Sequence, residues 1–444
     1  MIVIRVQKQA AGDCDTPNDG GHPRPPVASE GGEFCLYSFL FLINVARARF
    51  SCYTVGVMKT FEQRFTVAYQ YPVTFCRDVF SAECDVLTRA ILRDVTDVSP
   101  HRVLIVLDRG LEEAQPDLTK KITAWVMANA PEISLAAPIE SIPGGEFAKK
   151  QDTAVERLVK LAYQTHFGRK DTFIAIGGGA VQDTVGYAAT IIHRGCRLIR
   201  INSTTLSQAD AGIGVKNGID YASGKNFLGT FAPPYAVIND VSLLTTLADQ
   251  DWRNGISEAV KVATIKDAVF LQWIQEHTDA LRMRDLDAME KLVERTAELH
   301  LMHIAYGGDP FERGSARPLD FGHWSAHRLE SITCWQLSHG EAVAIGIALD
   351  MLYASLLGFV TGMEATRVIS ILRECGLRVW CDELTLRSTD GKLAIVEGLR
   401  QFREHLGGEL CVTLPQGLGN KTEVHEINET LLEQAVQLLR ERFA

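Results

Sequence analysis

Short apolar runs alternate with amphipathic stretches between residues 100 and 240. The run RVLIVL at 102–107 has the length and composition of one buried strand, and residues 118–130 repeat apolar positions with helical spacing. A further helix is predicted from 150 to 167, and the run CRLIRIN at 196–202 predicts a second strand. Such an alternation is typical of a parallel sheet covered by helices, so we predict an α/β fold with right-handed crossovers.

Helical spacing replaces this alternation after Asp240 and continues to the C-terminus. We therefore predict a mostly helical second part, and we divide the chain into a sheet-containing domain at 58–246 and a helical domain at 247–444. The predicted helices of the second part are 254–276, 283–306, 320–332, 339–357, 363–375, 389–405 and 428–442.

Residues 1–57 differ in composition from the rest of the chain. Residues 11–33 are rich in Gly, Pro and Asp, which is typical of disorder, and the apolar run at 34–46 is too short to span a bilayer. Because this run lies far from the N-terminus and behind acidic residues, it is also a poor secretory signal. A strand-like alternation opens at Met58, so we expect residues 1–57 to be a disordered arm or an upstream extension of the gene model.

Composition narrows the class of protein. The chain has 444 residues, of which 46% are hydrophobic and 23% charged, as in soluble globular proteins. Its net charge of −10 argues against a nucleic-acid partner, since phosphate backbones require a basic surface. The 10 cysteines include no CxxC pair, which indicates reduced thiols and a cytoplasmic location, and no apolar stretch is long enough to predict a membrane span.

Three consecutive glycines, Gly177, Gly178 and Gly179, stand between a predicted strand and a helix of small residues. Glycine permits positive φ and close backbone approach, so the N–H groups at the start of that helix can hold a diphosphate. The run is not the GxGxxG fingerprint, and tight turns from strand to helix also use glycine for purely structural reasons. Asp183, at the start of the helix, can be a simple cap or a partner of the helix dipole.

Two lysines, Lys216 and Lys225, stand among Gly, Ser and Asn residues in a predicted loop region at 203–240. A mobile ammonium beside exposed backbone donors suits the binding of a phosphate. The alternative is that both are ordinary solvated lysines, which the density of small polar neighbours disfavours. We therefore predict an anion site in this region.

Histidines concentrate between residues 309 and 342, where His323, His327 and His339 lie among acids and glycines. Imidazole and carboxylate are the ligands of a catalytic zinc or a similar divalent ion. His323 and His327 are four residues apart and can face one cavity from one helix, whereas His339 must come from another element. The alternative is that all three are ordinary, partly buried histidines.

An acid and a lysine, Glu258 and Lys261, share one face of the predicted helix at 254–276. If that face is exposed, the two residues form only a weak ion pair. If it lines a cleft, Glu258 becomes a candidate for a third metal ligand beside the histidines.

Seven sequence blocks follow one another along the chain: GGGAVQD, an RG pair, STTLSQADAGIGVKNGID, GKNFLGTF, SEAVK, FGHWSAHRLE and HGEAVAIG. In this order they resemble the 3-dehydroquinate synthases and their relatives, the sugar-phosphate cyclases, over residues 60–420. The resemblance implies an N-terminal Rossmann-like NAD-binding domain and a C-terminal, mostly α-helical metal-binding domain, with the site in the cleft between them. It also implies NAD and Zn²⁺ (or Co²⁺) as cofactors and a small sugar phosphate as the substrate.

The resemblance assigns roles to individual residues of the helical part. The metal ligands would be Glu258, His323 and His339, while His327 would lie near the phosphate of the substrate. Arg194 matches an arginine that reaches the phosphate bound by a neighbouring subunit, which implies a homodimer.

Three further sets of residues are carried over in the same way. The implied catalytic residues are Asp210, Lys216, Lys261 and His327. The implied substrate and phosphate contacts are Arg194, Lys216, Lys225, Asn226, Arg317, Asp320 and His327. The implied NAD contacts are Asp108, Glu146, Lys149, Gly178, Gly179, Asp183, Thr204, Thr205 and Lys225.

The family chemistry implied by the resemblance needs both cofactors within one turnover. A secondary alcohol of a heptulose 7-phosphate is oxidised transiently, which acidifies the neighbouring C–H and lets phosphate leave by elimination. The hydride then returns, the ring opens, and an intramolecular aldol reaction closes a carbocycle. NAD is therefore regenerated, and the net reaction is that of a phosphate-eliminating carbon–oxygen lyase.

The sequence departs from the dehydroquinate synthases at residues that would face a substrate carboxylate. Asp320 replaces a usual Asn, residues 302–312 lack an expected lysine, and Glu404 and His405 stand where another basic residue is expected. Arg317 can compensate only from one residue out of register. We therefore expect a substrate without a carboxylate, such as a sedoheptulose-type phosphate, although a block usual in valiolone-forming enzymes is absent too.

Alternative functions follow from the same residues. One is a cyclase similar to 2-epi-5-epi-valiolone synthase that acts on sedoheptulose 7-phosphate, and another is a metal-dependent alcohol or glycerol dehydrogenase. The lysines at 216–225 favour a cyclase, because a plain polyol oxidation needs no phosphate site. A non-catalytic paralogue is a third alternative, which the intact set of ligands and lysines disfavours.

Overall fold

The computed structural model describes residues 61–94, 100–150, 154–222, 224–314, 319–405 and 408–444. The predictions for residues 1–57 and for Arg317 lie outside these ranges. Residues 61–68 belong to a unit of their own and contain no helix or strand, whereas Tyr69–Ala444 form one compact unit. The predicted domain boundary after residue 246 stays a prediction.

A parallel sheet forms the framework of the first part of the compact unit. Among the described residues it has seven strands in the order β1, β9, β6, β5, β2, with β3 and β4 both paired with the other edge of β2. The pairs β7–β8 and β10–β11 are antiparallel. The strands are β1 (Val73–Cys76), β2 (His101–Asp108), β3 (Ile133–Leu135), β4 (Glu140–Ile142), β5 (Thr172–Gly177), β6 (Arg197–Asn202), β7 (Lys216–Tyr221), β8 (Gly224–Phe231), β9 (Ala236–Asp240), β10 (Val412–Pro415) and β11 (Lys421–Val424).

Helices flank the sheet and make up most of the chain beyond it, which confirms the predicted fold class. In the described part of the chain, no helix is long and apolar enough to cross a bilayer. The α-helices are α1 (Val86–Ile91), α2 (Arg109–Ala114), α3 (Leu118–Ala128), α4 (Ala154–Gln164), α5 (Gly179–Ile191), α6 (Asp249–Lys266), α7 (Ala268–Glu276), α8 (Thr278–Arg282), α9 (Leu286–Tyr306), α10 (His323–Ile332), α11 (His339–Leu356), α12 (Gly362–Glu374), α13 (Glu397–His405) and α14 (Glu429–Phe443).

The sheet is buried on both faces, and its strand β2 is apolar at every position from Val103 to Leu107. Along β2, Val103, Ile105 and Leu107 pack with residues of α1 and α3, whereas Leu104 and Val106 pack with residues of α4 and α5. A continuous apolar run is typical of such a strand. A third and larger cluster fills the helical part around α11, a helix that is apolar on nearly all sides.

Two predicted helices are shorter than expected. The predicted helix at 254–276 is two helices, because the carboxylate of Asp267 accepts the N–H groups of Val269 and Phe270 at 3.1 and 3.0 Å and caps α7. The helix predicted at 389–405 becomes α-helical only where α13 begins. In both cases the apolar spacing continues across a break that the backbone hydrogen bonds do not cross.

One loop prediction and one strand prediction also need correction. Lys216 and Lys225 lie on the strands of the β7–β8 hairpin rather than in a loop, even though Gly and Asn residues around them are typical of loops. Within β8, Asn226 has a positive φ of 51°. The strand alternation predicted from Met58 is realised, among the described residues, only at Val73–Cys76.

Three strands end side by side at one edge of the sheet. Asp108 ends β2, Gly177 ends β5, and Asn202 ends β6. From β2 the chain continues to β3 and β4 on one side, while β5 pairs on the other side. Open α/β sheets bind ligands at the carboxyl ends of strands where the winding reverses in this way.

Candidate functional site

Three side chains predicted as metal ligands come together from three helices, α6, α10 and α11. The Nε2 atoms of His323 and His339 lie 3.5 and 3.6 Å from Oε1 of Glu258. The three potential ligand atoms all lie within 4.8 Å of one another. Two ligands of a tetrahedral zinc ion lie about 3.4 Å apart when each is about 2.1 Å from the metal. The cluster therefore has the dimensions of a site for one ion.

A close approach of α6 and α11 places His339 beside Glu258. A Cβ added at Gly340 would lie 2.5 Å from the Cα of Asn254, so only glycine fits this contact. The hydroxyl of Ser338 donates to Oδ1 of Asn254 at 2.9 Å. Because Asn254 and Glu258 are one helical turn apart, the contact fixes His339 of α11 next to Glu258 of α6.

The start of α10 is fixed by a buried carboxylate of α11. Asp350 accepts the backbone N–H of Gly322 at 3.0 Å and the indole N–H of Trp324 at 3.0 Å. Gly322 has a φ of 79°, which glycine adopts without strain. These contacts hold both neighbours of His323 and therefore set the direction of its ring.

Hydrogen bonds to the Nδ1 atoms determine which nitrogen of each ring faces the cluster. Nδ1 of His323 lies 3.1 Å from the carbonyl oxygen of Phe321, and Nδ1 of His339 lies 3.1 Å from Oε1 of Glu330. Both partners are acceptors, so the proton of each ring is assigned to Nδ1 from its partner. The Nε2 lone pairs are then directed at Glu258, as in metal-binding histidines.

A chain of buried charges continues from Glu258 into the cleft. Lys261 Nζ lies 2.5 Å from Oε2 of Glu258 and 3.7 Å from Oδ2 of Asp210, and Oδ1 of Asp210 lies 2.7 Å from Nδ1 of His300. Burial opposes ionisation, but Lys261 and the neighbouring histidines together outweigh it and hold the pKa of Glu258 and of Asp210 well below the usual range. All four side chains line one cavity. Asp210 and Lys261, both predicted as catalytic, therefore face it as a charged pair.

The cluster fits a divalent cation. Within the described part of the chain, Oε1 of Glu258 is buried and accepts no hydrogen bond. Burial disfavours a charged His339, but Glu330 and Glu258 outweigh it and raise its pKa to about 9. The excess of negative charge thus attracts a proton, for which a metal ion can substitute. Two imidazole nitrogens and one carboxylate oxygen are the protein ligands of open, catalytic zinc sites.

Lys225 lies at the border between this cluster and the sheet. Its Nζ is 3.1 Å from Oε1 of Glu330 and 3.4 Å from Oε1 of Glu146, and it stands 4.9 Å from the ring centre of Trp335. The side chain remains 21% exposed. An anionic group that enters the cleft can therefore reach this ammonium.

Predicted cofactor and phosphate contacts gather around Lys149. Its Nζ lies 2.5 Å from Oδ2 of Asp183 and donates to Oδ1 of Asn226 at 2.8 Å. Burial opposes its charge, but Asp183 and Glu146 outweigh it and raise the pKa of Lys149. The structure thus brings together Glu146, Lys149, Asp183 and Asn226. The partner of Asp183 is a lysine rather than the helix dipole alone.

The glycine turn, residues 177–179, lies beside Asp108 and Thr204. Burial raises the pKa of Asp108, although the N–H groups of Gly110, Leu111 and Gly178 oppose it. A Cβ added at Gly178 would lie 3.0 Å from the methyl carbon of Thr204. Helix α5 begins there without a side-chain cap, so the N–H groups of its first turn, from Gly179 onward, are available to an anion.

Thr205 has a different setting from its neighbour Thr204. Its hydroxyl donates to the carbonyl of Asp251 at 2.8 Å and accepts the N–H of Gly255 at 3.1 Å. The hydroxyl thus ties the end of β6 to the start of α6. Its predicted contact with NAD stays a prediction, and the observed role of the residue is to join the sheet to the first helix of the cluster.

Lys216 faces two carboxylates across the cleft. Its Nζ lies 2.5 Å from Oε1 of Glu312. Burial opposes the ionisation of Asp320, but Lys216 and other nearby basic groups together outweigh it and lower the pKa of that carboxyl. The predicted substrate contacts Lys216 and Asp320 are therefore near each other, and an unexpected acid, Glu312, accompanies them.

His327 faces solvent beside the cluster. Its ring centre lies 5.5 Å from that of His323 and 6.0 Å from that of His339. Its ligand atom also lies within 4.8 Å of those of Glu330 and His339, but Lys225 on Glu330 already supplies a cation there. His327 therefore stays a predicted phosphate contact.

Arg194 is not brought to the cleft. It is exposed and follows the end of α5 that lies opposite the glycine turn. Arg194 has a positive φ of 64°. The predicted contact with phosphate therefore requires a second subunit, and the homodimer stays a prediction.

Three residues of the site were not predicted from the sequence. Glu330 lies seven residues after His323 and three after His327, so the helical spacing alone places it on their face of α10. His300 has only a weak signal, a polar residue on the mostly apolar face of α9. Glu312 has none, because its role depends on where an irregular segment returns to the hairpin.

Comparison with known proteins gives matches over most of the described chain. Residues 139–254 match the family model 3-dehydroquinate synthase N-terminal, and residues 255–394 match 3-dehydroquinate synthase C-terminal. The 2-epi-5-epi-valiolone synthase of Streptomyces glaucescens is 35% identical over 295 residues, which cover 66% of this chain and 74% of that protein. The 3-dehydroquinate synthase of Dichelobacter nodosus is 31% identical over 337 residues, which cover 71% of this chain and 89% of that protein.

A solved structure is similar over a larger share of the chain. It is that of the 2-epi-5-epi-valiolone synthase from Streptomyces hygroscopicus subsp. jinggangensis 5008 with NAD⁺ and Zn²⁺ bound. The TM-score is 0.74 at 27% identity, and the match covers 86% of this chain and 100% of that chain. The two-domain fold expected from the sequence is thereby confirmed.

Proposed function

The chain belongs to the 3-dehydroquinate synthase family, and we propose on that premise that it is an NAD- and divalent-metal-dependent sugar-phosphate cyclase. It eliminates phosphate from a heptulose 7-phosphate and closes a carbocycle. The observation that carries the proposal is the convergence of Glu258, His323 and His339, with both Nε2 lone pairs directed at one unbonded carboxylate oxygen. A net redox enzyme with this fold has no need of the lysines described above, so they favour the cyclase over an alcohol or glycerol dehydrogenase.

Zn²⁺ or Co²⁺ is held by Glu258, His323 and His339 in this proposal. When bound, the metal and NAD supply Lewis acidity and a reversible hydride acceptor. Among the chain's own residues, Lys261 lies between Glu258 and Asp210, which raise its pKa against the effect of burial, and it can donate hydrogen bonds to the substrate. Asp210 and His300 form the polar wall of the same cavity.

The NAD site in this proposal lies at the carboxyl ends of β2 and β5. The uncapped start of α5, with Gly178 and Gly179, suits the diphosphate, and Asp108 stands beside it. We propose Glu146, Lys149, Asp183, Thr204, Thr205 and Lys225 as the further contacts expected from the family. A boundary near residue 246 would separate this nucleotide-binding domain, 58–246, from the metal-binding domain, 247–444.

The phosphate of the substrate lies in this proposal against Lys225, Asn226 and His327. Lys225 is partly exposed, and its ammonium has three donors, so it can bind a phosphate while it keeps a carboxylate partner. Arg194 is the contribution of a second subunit, in a homodimer, because its own chain holds it away from the cleft.

The end of the substrate away from the phosphate lies near Lys216. Glu312 already pairs with this ammonium, its Oε1 lying 2.5 Å from Nζ, and Asp320 is close by. A substrate carboxylate would meet two like charges there, whereas a hydroxymethyl group can donate to either acid. This pair favours sedoheptulose 7-phosphate as the substrate, and with it a cyclase that makes a valiolone-type product.

The test offers sedoheptulose 7-phosphate and 3-deoxy-arabino-heptulosonate 7-phosphate separately to the Zn²⁺-loaded protein with NAD⁺. We expect release of inorganic phosphate from the first without net accumulation of NADH. Net NADH formation without phosphate would identify a dehydrogenase instead. No phosphate from either sugar would contradict the proposed activity, and turnover of only the second would contradict the substrate.

A further inference from the structure

Glu330 of α10 lies between the residues proposed to bind metal and those proposed to bind phosphate. Its Oε1 is 3.1 Å from Nδ1 of His339 and also 3.1 Å from Nζ of Lys225. The residue is only 2% exposed. One oxygen atom thus serves a side chain of α11 and a side chain of β8.

The carboxylate has no other donor in the described part of the chain. Its second oxygen, Oε2, is buried and accepts no hydrogen bond. A buried charge that loses one of its partners is strongly destabilised. The two contacts on Oε1 therefore carry the compensation of this anion, and they hold His339 and Lys225 at fixed positions relative to each other.

Each of the two partners depends on Glu330 for its direction. His339 presents Nε2 to Glu258 only while Nδ1 keeps its proton and donates it to Glu330. Lys225 has a second carboxylate, Glu146, but it is farther away at 3.4 Å and 46% exposed. Glu330 is thus the better fixed of the two anchors of this lysine.

We propose that Glu330 is a positioning residue that joins the metal site to the phosphate site, holding Nε2 of His339 toward the ion and Nζ of Lys225 toward the phosphate. The inference rests on the proposed function, because it assumes those roles for His339 and Lys225. It adds that the two sites share one buried carboxylate, so that a single substitution weakens both.

The experiment compares wild-type protein with Glu330→Gln. Zn²⁺ affinity is measured on metal-free protein by competition with a chromophoric chelator, and inorganic phosphate affinity is measured by calorimetry on the Zn²⁺-loaded protein. We expect Glu330→Gln to weaken Zn²⁺ binding about 10- to 100-fold, as for other residues that support a metal-binding histidine. We also expect phosphate to bind about tenfold more weakly, since Lys225 loses its nearer charged partner.

Two further variants separate the two effects. Lys225→Met removes the phosphate contact but leaves Glu330 on His339, so only phosphate affinity falls. Glu341→Gln is the matched control, because this carboxylate lies two residues from His339 but contacts Gln250 at 2.7 Å and Ser338 at 3.1 Å instead. We expect Glu341→Gln to leave both affinities within twofold of wild type.

The outcomes decide the inference separately from the proposed function. A wild-type protein that binds no Zn²⁺ contradicts the proposed metal site itself. Normal wild-type binding with an unchanged Zn²⁺ or phosphate affinity in Glu330→Gln overturns only the role of Glu330. If Glu330→Gln does not fold, Glu330→Asp replaces it in the experiment. The shorter carboxylate cannot reach both partners, so wild-type values for the Zn²⁺ and phosphate affinities of Glu330→Asp would overturn the inference.

Discussion

Two lysine–carboxylate ion pairs in the cleft have the same distance between nitrogen and oxygen but differ in their exposure to water. Lys261 lies 2.5 Å from Glu258, with side chains 4% and 1% exposed. Lys216 lies 2.5 Å from Glu312, with side chains 57% and 27% exposed. Distance does not distinguish the pairs, but access to water does. Breaking the buried pair leaves a charge that water cannot reach, whereas the exposed pair can exchange its partner for water or substrate.

The difference between the pairs separates two tasks of the site. The region around Glu258 is preorganised by helix packing, through contacts such as that of Gly340 with Asn254. The region around Lys216 is set by an ion pair that a substrate can displace. A fold built in this way can keep its buried cluster while exposed residues around Lys216 vary, as at Asp320, which stands where the dehydroquinate synthases usually have Asn.

The largest effect on activity is expected from removing a predicted metal ligand from the buried region. His339→Ala should lose its bound metal and release phosphate about a thousandfold more slowly, because a Lewis acid contributes several kcal/mol to such a step. Metal content by atomic emission and phosphate release measure the two effects. His327→Ala, the neighbouring ring, should keep its metal. Full metal occupancy in His339→Ala would remove this residue from the ligand set.

The two ion pairs can be compared directly by removing their lysines. Lys261→Met leaves Glu258 and Asp210 buried without the lysine that they share, so the free energy of unfolding should fall by about 3 to 5 kcal/mol. Lys216→Met should change it by less than about 1 kcal/mol, because water replaces the ammonium. Urea denaturation of the metal-free proteins at neutral pH measures both. Equal losses in the two variants would mean that burial does not govern these pairs.

The predictable part of the molecule is the part governed by local pattern. Strand β2 follows from one apolar run, and its prediction at 102–107 is confirmed at His101–Asp108. The histidines of α10 follow from a spacing of four residues. Asp267, in contrast, ends one helix and caps the next within an unbroken apolar pattern, which periodicity alone does not show.

The rest of the site depends on contacts between distant segments. Glu330 meets Lys225 across 105 positions of sequence, and His300 meets Asp210 from another helix. The hairpin that carries Lys216 is rich in Gly and Asn, which favour loops locally, but pairing of β7 with β8 overrides that preference. Such pairings are set by packing of the whole fold, so no spacing rule finds them.

Asp350 is a buried carboxylate that has no cationic partner among the residues that the structure describes, and the pH dependence of stability extends the comparison to it. Burial raises the pKa of Asp350 from 3.8 to about 7, despite hydrogen bonds from Gly322 and Trp324. The folded state then binds more protons than the unfolded state, so this group's contribution to stability is full at low pH and is lost as pH rises from about 4 to about 7. Relative to Asp350→Asn, wild-type stability should fall by at most about 1.4 kcal/mol per pH unit in that window.

Urea denaturation of metal-free wild type and Asp350→Asn between pH 4.5 and 8 measures this difference. Toward pH 8 the difference should level off, because Asp350 is then mostly ionised in both the folded and the unfolded state. A difference that grows in the opposite direction, with wild type gaining stability as pH rises, would show that the carboxylate is compensated in the folded protein.

The smallest effect is expected at the exposed pair, where it concerns choice of substrate rather than stability. Glu312→Gln removes one negative charge beside Lys216, so a substrate carboxylate should be disfavoured less, by about 1 kcal/mol or about fivefold in kcat/KM. The ratio of phosphate release from the heptulosonate phosphate to that from sedoheptulose 7-phosphate measures the change. Metal content and stability should stay at wild-type values, since the pair is open to water. An unchanged ratio would place Glu312 outside the substrate's reach, and a loss of metal would show that the two regions are not independent.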